Sequence, residues 1–250
     1  MSLFVPEELG GDELLALRAA LDEGLSAFGL SLDPPARDKL ARYLQMLRLG
    51  NRYINLTAIT DDTGMVSRHL LDSLALLELC PEEGSLIDVG TGAGLPGLPL
   101  AIARPALRVT LLDSLKKRID FLETVCRELS LDHARPLWGR AEEQARTPAL
   151  REAFDVATAR AVADLRTLSE YCLPFVKVGG LFLPMKGGAV EEELRAAANA
   201  IGTLGGRLER VFTYRLPGED SPMTVPVIRK LRATGERYPR RQAQIAKRPL

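Results

Sequence analysis

Histidine occurs only twice in the 250 residues, at His69 and His133, and cysteine three times, at Cys80, Cys126 and Cys172. Two histidines exclude a histidine-built metal cage, and no metal is expected. The cysteines stand far apart without a C-x-x-C pair, which argues against a zinc ribbon or a disulfide framework and fits a reducing compartment. Aromatic residues make up 5%, too few for a row of base-stacking platforms. No run approaches the roughly 20 apolar residues that span a bilayer. The first eleven residues hold acids but no Lys or Arg, so no leader segment is read there. A soluble, cytoplasmic protein is expected. Amides are scarce as well, with three Asn and four Gln beside 26 Arg and 7 Lys. Thermostability and a GC-rich genome explain that bias equally well.

What is present is enough apolar residue, 46%, for one sizeable domain with an attached subdomain. The 33 basic and 33 acidic side chains cancel, but they are unevenly placed. Residues 1–33 carry seven acids, including Glu7, Glu8 and Asp12, against Arg18 alone. Residues 229–250 carry eight bases against Glu236 alone, a basic end suited to a polyanion.

Leu14, Leu17, Leu21, Leu25 and Phe28 share one helix face, with Asp12 as the expected N-cap and Gly29 as the stop. A second helix starts at Asp33 with Pro34 in its first turn and runs to Gly50. Residues 52–60 read as an ordered connector, with Asn55 supplying its backbone hydrogen bonds. A third helix after Asp61 points Val66, Leu70, Leu74 and Leu77 inward, leaving Arg68, His69 and Asp72 off the apolar face. These helices form an N-terminal subdomain over 1–82, followed by the main domain over 83–250.

From residue 83 short apolar runs (86–89, 109–112, 134–138, 154–159, 180–184, 208–214 and 224–230) alternate with helical stretches at 97–104, 116–130, 163–177 and 190–204. That alternation predicts an α/β fold with an open parallel sheet covered on both faces. The last two runs are joined by LPGEDSPM, too short for a crossover helix, so they pair antiparallel at one edge.

The stretch LIDVGTGAGLPG, residues 86–97, ends a buried strand in Asp88 and turns through Gly90, Gly92 and Gly94 into a helix. Backbone without side chains lets a ligand approach closely. The next strand ends at Asp113, where a carboxylate accepts hydrogen bonds from both ribose hydroxyls of an adenosine. Together they make a nucleoside site. G-x-G-x-x-G alone also suits a dinucleotide. Asp88 beside the glycines is awkward near a pyrophosphate yet tolerable near a sulfonium, no Tyr-x-x-x-Lys proton relay exists, and no separate substrate domain remains. S-adenosylmethionine is therefore the expected cofactor. A nicotinamide-dependent reductase, and a non-catalytic RNA-binding module retaining the same cofactor, stay as alternatives.

The residues after the fourth strand read Ala159-Arg160-Ala161-Val162 where amino-group methyltransferases carry Asn/Asp-Pro-Pro-aromatic. None of the three cysteines looks activated for the thiolate attack of carbon-5 methylation. A target with its own lone pair and no proton to lose, such as guanine N7, needs neither device, and positioning does most of the work.

The runs DVGTGAGLPGLPLAI, NLTAI with RHLLDS, LLDSLKKRIDFL, GRAEE, ATARAV and the closing YPRR…AKRPL resemble the RsmG (GidB) family from about residue 51 onward. The resemblance implies a Rossmann-like class I methyltransferase with a seven-stranded sheet. It also implies transfer of a methyl group to N7 of a guanine in 16S ribosomal RNA, within RNA or a small-subunit particle, by a cytoplasmic enzyme expected to be a monomer. It further implies that Gly90 and Leu95 line the cofactor pocket, that Asp113, Ser114 and Leu115 hold the ribose and one adenine face, that Ala141 and Glu142 lie against the adenine, and that Arg160 closes the methionine side.

Among the remaining charges, Arg140 and Lys186 sit at strand ends and are candidates for positioning the substrate, as are Arg68 and His69. Lys116 and Lys117 open a helix against its dipole, which suggests a phosphate partner. Arg240, Arg241, Lys247 and Arg248 are the expected RNA contacts of the tail.

Overall fold

The computed structural model describes residues 11–160, 163–188 and 190–250. Glu7 and Glu8 of the acidic segment, and Ala161 and Val162 after the fourth strand, lie outside the described residues.

Helix α1 (Asp12–Phe28) buries Leu17, Leu21 and Leu25 on one face. Each stabilises the fold by about 1.5–3 kcal/mol on leaving water. Its start corrects the expected cap: Gly11 stands at the N-cap, and Asp12 lies in the first turn, where its charge suits the helix dipole. Gly29 ends the helix in a left-handed conformation that costs a glycine little. Helix α2 (Pro34–Asn51) starts as its sequence dictates, with Asp33 Oδ1 accepting the Ala36 N–H at 2.8 Å.

The connector 52–60 is organised by Asn51, not by Asn55. Asn51 Oδ1 accepts from the N–H groups of Leu56 (2.8 Å) and Thr57 (3.0 Å), and its Nδ2 donates to the Thr57 carbonyl at 2.9 Å. Asn55 is exposed.

The third helix is continuous but changes pitch. It comprises α3 (Asp62–Gly64), a π-helical segment Met65–Leu71, α4 (Asp72–Leu74) and a 3₁₀ turn Ala75–Glu78. Val66, Leu70, Leu74 and Leu77 are buried as their spacing predicts, but so are His69 and Asp72. Regular 3.6-residue spacing places those two outside; the wider i→i+5 turn rotates them inward.

Seven strands follow: β1 (Gly84–Val89), β2 (Leu107–Asp113), β3 (Ala134–Trp138), β4 (Phe154–Arg160), β5 (Val176–Gly187), β6 (Gly206–Tyr214) and β7 (Met223–Lys230). Their order is β3-β2-β1-β4-β5-β7-β6. The first five pair in parallel, while β7 runs antiparallel to both β5 and β6, as the short 214–223 connection requires. Between the strands lie α5 (Gly97–Ala103), α6 (Lys116–Glu128), the short α7 (Ala141–Gln144), α8 (Leu165–Cys172) and α9 (Glu191–Thr203). Near the C-terminus is α10 (Gln242–Lys247), which like α7 has no clear periodic signal. The helix expected to reach residue 177 stops earlier, because Pro174 turns the chain through a 3₁₀ segment.

Strand alternation divides the core between the two sheet faces. Leu86, Val109, Leu111, Val156 and Leu183 pack with the buried leucines of α1 and α2, so the N-terminal helices share one face's core. Ile87, Val89, Leu112, Ala157 and Phe182 pack under α8 and α9 on the other face. Strand order reverses at β1 and β4, and their carboxyl ends open the crevice in which such folds bind ligands.

Candidate functional site

The glycine loop after β1 is built by two carboxylates. Asp88 is wholly buried, and its Oδ2 accepts from Thr91 Oγ1 at 2.6 Å and from the Gly97 N–H at 2.9 Å. Gly97 is required there, since a Cβ would lie 2.4 Å from Leu111 Cδ2 and 3.0 Å from Asp88. Burial pushes the Asp88 carboxyl up to about 6, against the lowering by its two donors. Its Oδ1 is buried with no hydrogen-bond partner.

Asp113 ends β2 and turns back onto the loop. Its Oδ2 accepts from the Gly92 N–H at 3.0 Å and from Arg118 Nη1 at 3.2 Å, and its Oδ1 accepts from the Leu115 N–H at 2.8 Å. Gly92 has a φ of +60°, and no atom lies within 4 Å of where its Cβ would stand. Tyr43, buried on α2, donates its hydroxyl to the Ala93 carbonyl at 3.0 Å and so ties the helical segment to the loop. Sequence reading had no signal for that bond, because Tyr43 looks like any core aromatic.

A cleft of about 270 Å³ opens over these strand ends. Gly90, Asp113, Ser114, Ala141 and Glu142 line it, together with Gly139, Arg140, Thr167, Tyr171 and Gln242. Five of the expected cofactor residues thus come together. Leu115 sits beside them, 43% exposed, and Trp138 Nε1 donates to the Ser114 carbonyl at 3.1 Å. Leu95 does not line this cleft: its side chain is buried in the core. Arg160 does not line it either, but faces a neighbouring cavity.

That second cavity measures about 640 Å³ and lies between the π-helical segment, the ends of β4 and β5, and the β6–β7 connection. It brings together Arg68, His69, Asp72, Arg160, Lys186 and Glu219, with Ile59, Met185, Leu216 and Met223 as apolar wall. Its charges are largely spoken for. Asp72 Oδ2 accepts from Arg160 Nη1 at 2.9 Å and Oδ1 from the Tyr214 hydroxyl at 2.5 Å. Arg160 also donates to the Arg68 carbonyl at 2.9 Å. Lys186 Nζ donates to Glu193 Oε1 at 2.7 Å and to the Ala163 carbonyl at 2.9 Å. Thr57 Oγ1 lies 2.8 Å from His69 Nε2. Burial, reinforced by Arg160, pushes His69 down to about 4, so its ring is neutral. Tyr214 and Glu193 complete these pairs across 142 and 7 residues, and nothing in their local sequence marks them.

The expected RNA-binding cations divide. Arg240 is a correction: its Nε and Nη2 are held by the buried Glu170 at 2.8 and 2.6 Å, so it is not a free phosphate contact. Lys230, counted in the basic end, is buried and donates to the Leu173 carbonyl at 2.6 Å. Arg146 and Arg151 fasten the preceding turn by donating to the carbonyls of Pro239, Arg237, Tyr238 and Thr234. Arg241, Lys247 and Arg248 remain exposed, as does Lys117. Lys116 answers its helix position internally, pairing with Asp120 at 2.5 Å. Arg140 donates to Gln242 Oε1 at 2.7 Å at the rim of the cleft.

The three cysteines are buried and free. Burial raises the Cys80 and Cys126 thiols to about 12 and Cys172 well above its ordinary value. None is a thiolate at neutral pH.

A family model described as GidB, rRNA small subunit methyltransferase G, matches residues 36–218. The chain is 45% identical over 237 residues to the ribosomal RNA small subunit methyltransferase G of Acetivibrio thermocellus, covering 94% of this chain and 98% of that one. It is 46% identical over 242 residues to the protein of the same name from Symbiobacterium thermophilum, with 94% and 98% covered. Among solved structures, TYW2 of M. jannaschii in complex with AdoMet aligns with a TM-score of 0.50 at 14% identity, covering 64% of this chain and 75% of that one. A 16S rRNA (adenine(1408)-N(1))-methyltransferase with its cosubstrate SAM, from Catenulisporales acidiphilia, gives 0.50 at 15%, covering 61% and 87%. At those identities the two structures speak for a shared fold alone.

Proposed function

The chain belongs to the rRNA small subunit methyltransferase G family, and from that premise we propose that it transfers the methyl group of S-adenosylmethionine to N7 of a guanine in 16S ribosomal RNA. It is an S-adenosylmethionine-dependent rRNA methyltransferase with a class I sheet.

The residues present fit the cofactor. Asp113 offers further lone pairs on both oxygens for the ribose hydroxyls. Through Thr91 and Gly97, Asp88 holds the glycine loop that borders the cleft. When bound, S-adenosylmethionine supplies an electrophilic methyl on a sulfonium. The chain's own residues then orient a base in the neighbouring cavity and keep it in line with that methyl.

The family resemblance carries the N7 assignment, and the chemistry of the second cavity is compatible with it. Among the described residues, the titratable groups lining the second cavity are engaged: Asp72 pairs with Arg160, Lys186 with Glu193 and Glu219 with Arg68, and burial lowers His69 to about 4. The cysteines, buried and protonated, give no covalent route to a ring carbon. N7 attacks through an existing lone pair and loses no proton, so a site that only positions and screens charge suffices. The product's positive charge is delocalised over the purine.

The test uses methyl-tritiated S-adenosylmethionine with small-subunit RNA, and separately with particles lacking their modifications, followed by nucleoside analysis. Label in 7-methylguanosine is the expected result. Label in another nucleoside removes the N7 assignment and leaves the methyltransferase. The substrate form that accepts label decides between free RNA and an assembled particle.

A further inference from the structure

Glu219 lies on the β6–β7 connection at the mouth of the 640 Å³ cavity, and neither the cofactor cleft nor the tail involves it. Its Oε1 takes both bonds from Arg68, from Nε at 2.8 Å and from Nη2 at 2.7 Å. Among the described residues, no hydrogen bond or ion pair engages its Oε2. The other carboxylate of that wall, Asp72, has one oxygen on Arg160 and the other on Tyr214. Glu219 is therefore the wall's only carboxylate, among the described residues, with an oxygen unassigned.

We propose that Glu219 reads the Watson–Crick edge of the target guanine, accepting from N1–H and the 2-amino group while N7 points inward toward the methyl donor. The proposal rests on the guanine-N7 reading above. Guanine presents two adjacent donors on that edge, which an ionised carboxylate matches with two acceptors. Adenine and cytosine each present an acceptor beside their amino group, and uracil flanks its single donor with two acceptors. A carboxylate there selects guanine by leaving unlike pairs of groups facing one another in any other base.

The placement of the rest of the cavity agrees. N7 lies on the opposite side of the purine from N1, so a base held by Glu219 at the mouth directs N7 toward the β4 end, where Arg160 stands. Met185, Met223 and Leu216 give the flat ring apolar contact without competing for its polar edge. Arg68, 57% exposed, aims Glu219, because both of its bonds converge on the same carboxylate oxygen. Arg68 thereby acts as a positioning residue through Glu219.

The experiment compares wild type and Glu219→Gln on small-subunit particles carrying either guanosine or inosine at the methylated position. Inosine keeps N7 and N1–H but lacks the 2-amino group. The expected result is a loss in kcat/KM of about tenfold to a hundredfold for either change alone, and little further loss when both are combined. S-adenosylmethionine binding by calorimetry stays at the wild-type value. Arg68→Leu tests the positioning role: it removes the two bonds that aim the carboxylate, so the variant loses part of its discrimination against inosine while S-adenosylmethionine binding stays at the wild-type value. A Glu219→Gln enzyme with the wild-type rate, or two losses that multiply, overturns the assignment of Glu219 while wild-type label in 7-methylguanosine keeps the N7 reading. Wild-type label in a different nucleoside overturns both.

Discussion

Asp72 and Arg160 join the start of α4, directly after the π-helical segment, to the end of β4 through a 2.9 Å ion pair, with the Asp72 side chain 4% exposed and that of Arg160 17%. The pair lines the 640 Å³ cavity beside the ends of β4 and β5. It closes only because the π turn carries Asp72 to the inside.

Asp72→Ala leaves the guanidinium buried without its counter-charge and frees the Tyr214 hydroxyl as well. Removing one member of a buried pair costs about 3–5 kcal/mol. Urea unfolding is expected to show that loss, together with reduced methyl transfer. A change below about 1 kcal/mol would mean that water compensates Arg160.

Asp113→Ala is expected to weaken S-adenosylmethionine binding by about one to two kcal/mol, the worth of charge-assisted bonds to ribose hydroxyls. Calorimetry reads it directly. The same change strips partners from the Gly92 and Leu115 N–H groups, so some thermal stability falls with it. Unchanged affinity removes Asp113 from the cofactor site.

Asp88 is held at about 6, above an ordinary aspartate, because burial penalises its charge. The folded state therefore binds this proton more tightly than the unfolded state, and its contribution to stability falls as pH rises from about 4 to 6. Asp88→Asn should be more stable than wild type at pH 7.5, with the difference vanishing near pH 4. Its cofactor affinity should fall. A variant less stable than wild type at pH 7.5 sinks this account.

His69 works in the opposite sense. Its folded pKa of about 4 lies below the unfolded value of 6.5, so the unfolded chain takes the proton first. Stability from the neutral ring is complete above pH 6.5 and is lost as pH falls toward 4. His69→Gln is expected to flatten that acid limb by up to about 3 kcal/mol, as measured by unfolding at a series of pH values. An unaltered limb would show that another group dominates it.

The tail separates into a fastened part and a free part. Arg240→Ala should destabilise the fold, since it leaves the fully buried Glu170 unpaired, and should leave the salt dependence of RNA binding unchanged. Reversing Arg241, Lys247 and Arg248 should leave stability intact and lower that slope by roughly one per lost phosphate contact. If the slope ignores the second set, RNA lies elsewhere.

The parallel sheet, its antiparallel edge, the glycine loop and Asp113 were legible in the sequence because each rests on local rules. Strand and helix periods, the steric freedom of glycine and the length of a connection act over a few residues. The misreadings have non-local causes. His69 and Asp72 moved inward because tertiary packing stabilised a π turn that no propensity announces. Asn51, a helix terminus, organises the connector that Asn55 was expected to hold. Leu95 directly follows Gly94, and its side chain packs in the core.

The sequence by itself determined the fold class, the glycine loop and, through its motifs, the family. Only the tertiary structure decided which charges are free. An arginine in a basic tail looks the same in sequence whether it faces solvent or Glu170, and a carboxylate looks the same whether it is saturated like Asp72 or half-free like Glu219. Pairing depends on side chains brought together from as far as 151 positions away. Coulomb energy and desolvation follow distance in space, not distance along the chain.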